Sequence, residues 1–198
     1  MRRRSIVVAG VGGQGQVTIG SILGEALSEK GYNVSIGEVH GLSQRGGSVV
    51  VFIKYGEGTV SPIVTQGEAD LIIGLELIET VRRLPLGRKE TLTVVNDFVL
   101  PPPSAEKIPS REELIHSLKS NCSAAYLLDA QRLALKAGSE LTVNMVMVGA
   151  ALATQLLDLE PGDIREALAR RFKGDVLRAN IEALRLGYEE VKKQRQES

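Results

Sequence analysis

The chain has 198 residues, 43% of them hydrophobic, enough to bury one sizeable core without requiring two domains. Lys plus Arg and Asp plus Glu both number 24, so the net charge is zero and no long-range field draws the chain to nucleic acid or to an anionic membrane. The single cysteine, Cys122, excludes an intrachain disulfide framework and a cysteine-ligated zinc or iron–sulfur site built from this chain alone.

The opening Met-Arg-Arg-Arg has the charge of a signal-peptide start, but only five or six apolar residues follow before glycines intervene. No run approaches the roughly 18 apolar residues that span a bilayer, so a soluble, cytoplasmic chain is expected. Residues 4–9 predict a strand ending at Gly10, and residues 14–30 carry Ile19, Leu23, Ala26 and Leu27 at helical spacing. Gly31-Tyr32-Asn33 closes that helix, and Val34, Ile36 and Val39 open a second strand. The first 39 residues therefore predict a right-handed βαβ unit with parallel pairing. Residues 48–54 (SVVVFIK) predict a strong strand, 55–58 a turn, and 59–64 a weaker strand containing Pro62. That pair is expected as an antiparallel hairpin, with the proline strand near a sheet edge.

Residues 70–74 (DLIIG) and 91–96 are continuous apolar runs of the kind a sheet covered on both faces demands, with a short helix over 76–83 between them. Residues 97–111 hold four prolines and little periodicity, which predicts a long surface loop. A strand over 124–128 has short helices before and after it. Residues 142–157 (TVNMVMVGAALATQLL) are apolar all round and read as a buried helix or an oligomer contact. Two helices follow residues 160–163, and the second carries the stripe Leu177, Ile181, Leu184, Tyr188 and Val191. Both apolar stretches are candidates for core or for contact with a second chain. The expected fold is a three-layer α/β/α, Rossmann-like domain over 1–198. Its sheet is mostly parallel with one antiparallel hairpin, its core spans 4–158, and helices over 161–197 form a C-terminal arm.

Two glycine-rich segments carry the candidate chemistry. In Gly10-Val11-Gly12-Gly13-Gln14-Gly15, Gly10, Gly12 and Gly15 match G-x-G-x-x-G between a strand and a helix. Glycines there let backbone amides approach an anion at the positive helix end. The same glycines also suit close helix–sheet packing, as do Gly20 and Gly24 one turn apart. Glu38, 23 residues after Gly15, keeps open a free-standing enzyme using a nicotinamide or flavin dinucleotide. The second segment runs from Glu38 through His40 and Gly41 to Gln44-Arg45-Gly46-Gly47. Its glycines give a guanidinium and an amide the freedom to hold a phosphate, a carboxylate or a partner's backbone, unless Arg45 merely satisfies helix-end carbonyls. His40 has no acid at a recognisable spacing and reads as a structural histidine; His116 reads as solvated. No nucleophile elbow, Walker lysine, convincing carboxylate pair or metal cluster is visible, so the chain has binding features without a reaction centre.

The GVGGQG turn, the EVHGLSQRGGSV segment about 25 residues later, ADLIIGLE, TVNMVMVGAAL and NIEALRLGYE together resemble the gamma domain of pyruvate/ketoisovalerate oxidoreductases. The EVHG-x-x-QRGGSV form most resembles the beta subunit of indolepyruvate ferredoxin oxidoreductase, over residues 5–189. That resemblance implies a small, cluster-free subunit of a complex that oxidatively decarboxylates 2-oxoacids, here arylpyruvates from aromatic amino acid breakdown. Coenzyme A and ferredoxin act as acceptors. It implies that thiamine diphosphate and the iron–sulfur clusters sit on a large partner subunit, and that this chain does no complete chemistry alone. It makes Gly10, Gly12, Gly13, Gln14, Gly15, Gln44, Arg45, Gly46 and Gly47 candidate contacts to coenzyme A or to the partner, with Asn144 orienting one of the loops. The alternatives are the free-standing dinucleotide enzyme and a pure assembly module whose glycine segments only dock the partner; the isolated chain is also a candidate homodimer.

Overall fold

The structure is a computed structural model that describes residues 3–41, 46–58, 61–102, 105 and 107–197. The elements run β1 (Arg4–Val11), α1 (Gln16–Glu29), β2 (Asn33–His40), β3 (Ser48–Gly56), β4 (Ala69–Gly74), α2 (Leu77–Arg83), β5 (Gly87–Asn96) and α3 (Arg111–Asn121). They continue with β6 (Ala124–Leu128), α4 (Ala130–Lys136), α5 (Val143–Ala153), α6 (Pro161–Arg171) and α7 (Gly174–Glu197). The sheet order is β2-β3-β1-β4-β5-β6. β1, β4, β5 and β6 are mutually parallel, and β3 is antiparallel to both of its neighbours.

The side-chain period of two divides the core. Ile6, Val8, Leu71, Ile73 and Val94 face the layer of α1 and α4–α7, while Val7, Ile72 and Val95 face α2 and α3. This is the expected three-layer α/β/α fold, and the continuous apolar runs are its central strands.

Two strand expectations are corrected. β2 does not pair with β1, because β3 lies between them. The chain from Gly41 to Gly47 is too short for the dozen or more residues of a parallel crossover, so β3 can only return antiparallel beside β2. β3 is also among the most buried strands, and its central place satisfies both of its backbone edges. The hairpin is therefore β2–β3 and not a pairing of residues 48–54 with 59–64. The described residues 61–64 form no strand; Pro62 instead covers Gly37, where a Cβ would lie 3.0 Å from it.

The apolar stretches of the C-terminal third belong to the chain's own core. Met145 to Ala153 is buried throughout, as are Leu184 and Val191, with Leu177, Ile181 and Tyr188 packed against them. α5 and α7 touch through glycines: a Cβ on Gly149 would stand 2.0 Å from the Leu184 carbonyl oxygen, and one on Gly187 1.9 Å from that of Val146. The same economy holds α1 to the sheet, where Cβ atoms on Gly20 and Gly24 would meet Val51 at 2.7 Å and Ile36 at 2.5 Å.

α6 is tied to α1 by charge. Arg170 donates to Glu25 at 2.7 Å and to Glu29 at 2.6 Å, and Arg171 donates to Glu25 at 2.9 Å. The Arg170 hydrogen bond leads the effects that hold the Glu25 carboxyl below the usual 4.5. A lowered folded-state pKa means that the unfolded chain binds more protons, so this stabilisation is complete above the usual carboxylate range and is lost as pH falls through it. Glu25→Gln is expected to lower stability at pH 7 by at most about 1 kcal/mol, or roughly 2–4 °C in melting temperature. Melting curves across a pH series should show its deficit closing below pH 4.5; a deficit that persists in acid contradicts the electrostatic account. No helix among the described residues is long and apolar enough to cross a membrane.

Candidate functional site

The first glycine segment turns the chain from β1 into α1. Gln14 Oε1 accepts from the Val11 amide at 2.8 Å, and Gln16 Nε2 donates to the Val11 carbonyl at 2.9 Å, so two glutamines hold both backbone polar groups of one residue. Gly10 exists to admit them: a Cβ there would lie 2.6 Å from both side chains. Gly13 and Gly15 take left-handed conformations with φ of 100° and 91°. Gly12 differs, because a Cβ there would meet nothing nearer than 3.7 Å.

Gly15 caps α1 without a side chain, and no acidic residue occupies the first turn. The amides of Gln16, Val17 and Thr18 precede the first intrahelical bond, from Ile19 to the Gly15 carbonyl at 3.0 Å, so they are open to an acceptor. Free donors at the positive end of a helix dipole favour an anion.

The second segment closes against the first. The Gly41 amide donates to the Ser48 carbonyl at 2.8 Å, forming a neck, and the Gly12 amide donates to the Gly47 carbonyl at 2.9 Å. Gly46 has φ 68°. Gln44 and Arg45 lie outside the described residues. Between the two segments is a cleft of about 570 Å³. Gly12, Gly13, Gly15, Gln16 and Val17 form one wall, and His40, Gly41, Gly47 and Val49 the other.

Asn144, at the start of α5, stands on the far side of the turn. A Cβ on Gly15 would lie 2.7 Å from Asn144 Nδ2, while its Oδ1 accepts from the Met145 amide at 3.0 Å. Of the candidate residues, the turn glycines, Gln14, Gly46, Gly47 and Asn144 thus gather at one end of β1.

His40 departs from expectation in one respect: it has an acid partner. Its Nε2 lies 3.0 Å from Glu38 Oε2, since residues two apart on a strand share a face. Glu38 is thereby engaged, and β3 separates its strand from β1 by two strand spacings, about 10 Å. The dinucleotide reading needs that acid beside the turn, so it is not supported. Sequence reasoning missed Gln16 and Asn96. Asn96, fully buried, donates to the Leu75 carbonyl at 3.0 Å and accepts from the Ala130 amide at 3.0 Å. A polar residue closing the apolar run TLTVV was its only signal.

Glu76 is also buried and accepts from the Ile78 amide at 3.0 Å; burial pushes its carboxyl above the usual range. A larger cavity, about 850 Å³, lies at the other end of the sheet among Gly67, Gly87, Arg88 and Cys122, remote from both glycine segments. Size alone therefore does not mark the site. Cys122 there is half-buried, bonded to Thr93 Oγ1 at 3.1 Å, and burial pushes its thiol up. Among the described residues no group of three His, Cys, Asp or Glu could hold a metal ion.

Residues 5–190 match the family described as pyruvate ferredoxin/flavodoxin oxidoreductase. The chain is 37% identical over 188 residues to indolepyruvate oxidoreductase subunit IorB of Methanothermobacter thermautotrophicus, covering 93% of this chain and 95% of that one. It is 29% identical over 185 residues to the pyruvate/ketoisovalerate oxidoreductases common subunit gamma of Pyrococcus furiosus, covering 92% and 94%. The fold matches the pyruvate oxidoreductase subunit PORC of Thermotoga maritima with a TM-score of 0.73 at 20% identity, covering 96% and 97%. It also matches 98% of this chain to 32% of the 2-oxoglutarate:ferredoxin oxidoreductase of Magnetococcus marinus, with a TM-score of 0.74 at 21% identity. Because the family match takes in both glycine segments and the helices that close the core behind them, the chain belongs to the pyruvate ferredoxin/flavodoxin oxidoreductase family.

Proposed function

We propose that this chain is the small, cluster-free subunit of an indolepyruvate:ferredoxin oxidoreductase, and that the glycine cleft receives a phosphate-bearing part of coenzyme A. The observation that carries the first half is the 37% identity to an IorB subunit over nearly the whole of both chains. The second half is supported by the uncapped end of α1 facing a cleft walled by both glycine segments.

The donor set of this chain does not suit an iron–sulfur cluster, since its one cysteine is half-buried and bonded to Thr93. In keeping with that, and as the resemblance to this family implies, clusters and thiamine diphosphate belong to a larger partner, where the 2-oxoacid loses carbon dioxide and its electrons pass to ferredoxin. Coenzyme A supplies the thiol that accepts the acyl group. This chain's part is binding and orientation: the amides of Gln16, Val17 and Thr18 would donate to phosphate oxygens, and Gly12 and Gly13 would let the ligand approach the backbone.

The test is a tagged purification without oxygen from the native cells, followed by sizing, a visible spectrum, and an assay of arylpyruvate- and coenzyme A-dependent reduction of a viologen dye. A brown complex containing a much larger chain and showing that activity is expected. A colourless protein that travels alone and binds a dinucleotide would overturn the reading.

A further inference from the structure

Gly41 and Gly47, which form one wall of the cleft together with His40 and Val49, have no side chains with which to fix themselves, so their backbone must be held by neighbours. The first side chain after them is Ser48. Its hydroxyl donates at 2.5 Å to Oε2 of Glu79, a carboxylate on α2 whose side chain is 4% exposed. Arg83 Nη2 donates to the same hydroxyl at 2.9 Å, and Arg82 Nη1 donates to Glu79 Oε1 at 2.6 Å. Ser48 also accepts the Gly41 amide that closes the neck, and the preceding residue, Gly47, accepts the Gly12 amide.

A chain of hydrogen bonds thus runs from α2, on one face of the sheet, to the cleft beside α1 on the other. A buried carboxylate costs stability unless paired, and a buried ion pair is often replaceable by apolar residues without loss. Packing alone therefore gives no reason for Glu79 to be charged.

We infer that Glu79, acting through Ser48, is a positioning residue that sets the backbone of Gly41 and Gly47 in the cleft wall and so the affinity for coenzyme A. The inference rests on the reading that this cleft takes coenzyme A. In the purified complex with its large partner, Ser48→Ala is expected to raise the KM for coenzyme A about tenfold, the size of one lost hydrogen bond to a charged group. The kcat and the KM for the arylpyruvate should stay within about twofold, because the acyl-forming chemistry lies on the partner. Ser48→Thr keeps the hydroxyl and should restore most of the affinity; Glu79→Gln should fall between.

A rise in coenzyme A KM with rescue by threonine supports the inference, since a merely structural role would lower melting temperature without splitting KM from kcat. An unmoved coenzyme A KM in Ser48→Ala overturns it. In the same assay Gly12→Val decides whether the cleft reading falls as well: if that variant raises the coenzyme A KM, only the positioning role fails.

Discussion

Gly149→Ala is expected to destabilise the chain by about 3 kcal/mol, lowering the melting temperature by roughly 6–12 °C. The added methyl would stand 2.0 Å from the Leu184 carbonyl oxygen and 2.9 Å from the Tyr188 amide nitrogen, so no side chain can rotate away and the helices must part. Parting them opens the layer in which Met145, Val146 and Ala183 are fully buried. The gain in helix propensity from glycine to alanine, about 1 kcal/mol, does not offset this. Gly187→Ala should behave alike, its methyl 1.9 Å from the Val146 carbonyl oxygen. The double variant should cost less than the sum, because one displacement relieves both clashes. Gly162→Ala is the control: it lies in α6 with nothing within 4 Å of the added Cβ, and it should leave stability unchanged or raised. Equal melting temperatures for Gly149→Ala and Gly162→Ala would refute the close crossing.

Gly12→Val is expected to raise the KM for coenzyme A by an order of magnitude or more in the assembled complex, while the melting temperature changes by no more than about 2 °C. Three facts give this split. The residue lies outside the left-handed region, a Cβ there meets the Gly47 oxygen and Val49 only at 3.7 Å, and it lines the 570 Å³ cleft. The Cβ therefore has room within the fold, and the methyls beyond it are expected to take the space of the ligand. A large steric loss of this kind is typical where a backbone must approach a phosphate closely. Gly10→Ala should do the reverse, damaging the fold first, because its Cβ would strike Gln14, Gln16 and Leu75. Titration of coenzyme A against both variants, beside thermal melts, checks the pair; a Gly12→Val complex with unaltered coenzyme A KM removes the cleft from the ligand's path.

Much of the molecule was legible in the chain itself. Residues 70–74 and 91–96 announced central strands, because a sheet covered on both faces needs apolar side chains on both sides of each strand. The irregular course of the described residues after Asn96, the buried helix around Met145 and the glycine turn before α1 could be read the same way. What misled was the step from the second strand to the third. βαβ logic treats neighbours in sequence as neighbours in the sheet, whereas here a seven-residue link forced β3 back between β2 and β1. The Glu38–His40 pair went unseen because pairing within a strand skips one residue, a spacing that charge patterns also produce by chance.

By itself, then, the sequence determined most of the strands and helices, though not that residues 61–64 form no strand, as well as which faces are apolar and the family whose two glycine segments it carries. Those properties depend on local period and residue type. Only the tertiary structure decided that the two segments meet in one cleft, that the apolar C-terminal stripe closes the chain's own core, and that Glu79 reaches Ser48 from the opposite layer. Each of these joins residues about 30 or more apart in the chain, and long-range contact depends on how the layers stack, which no local pattern encodes.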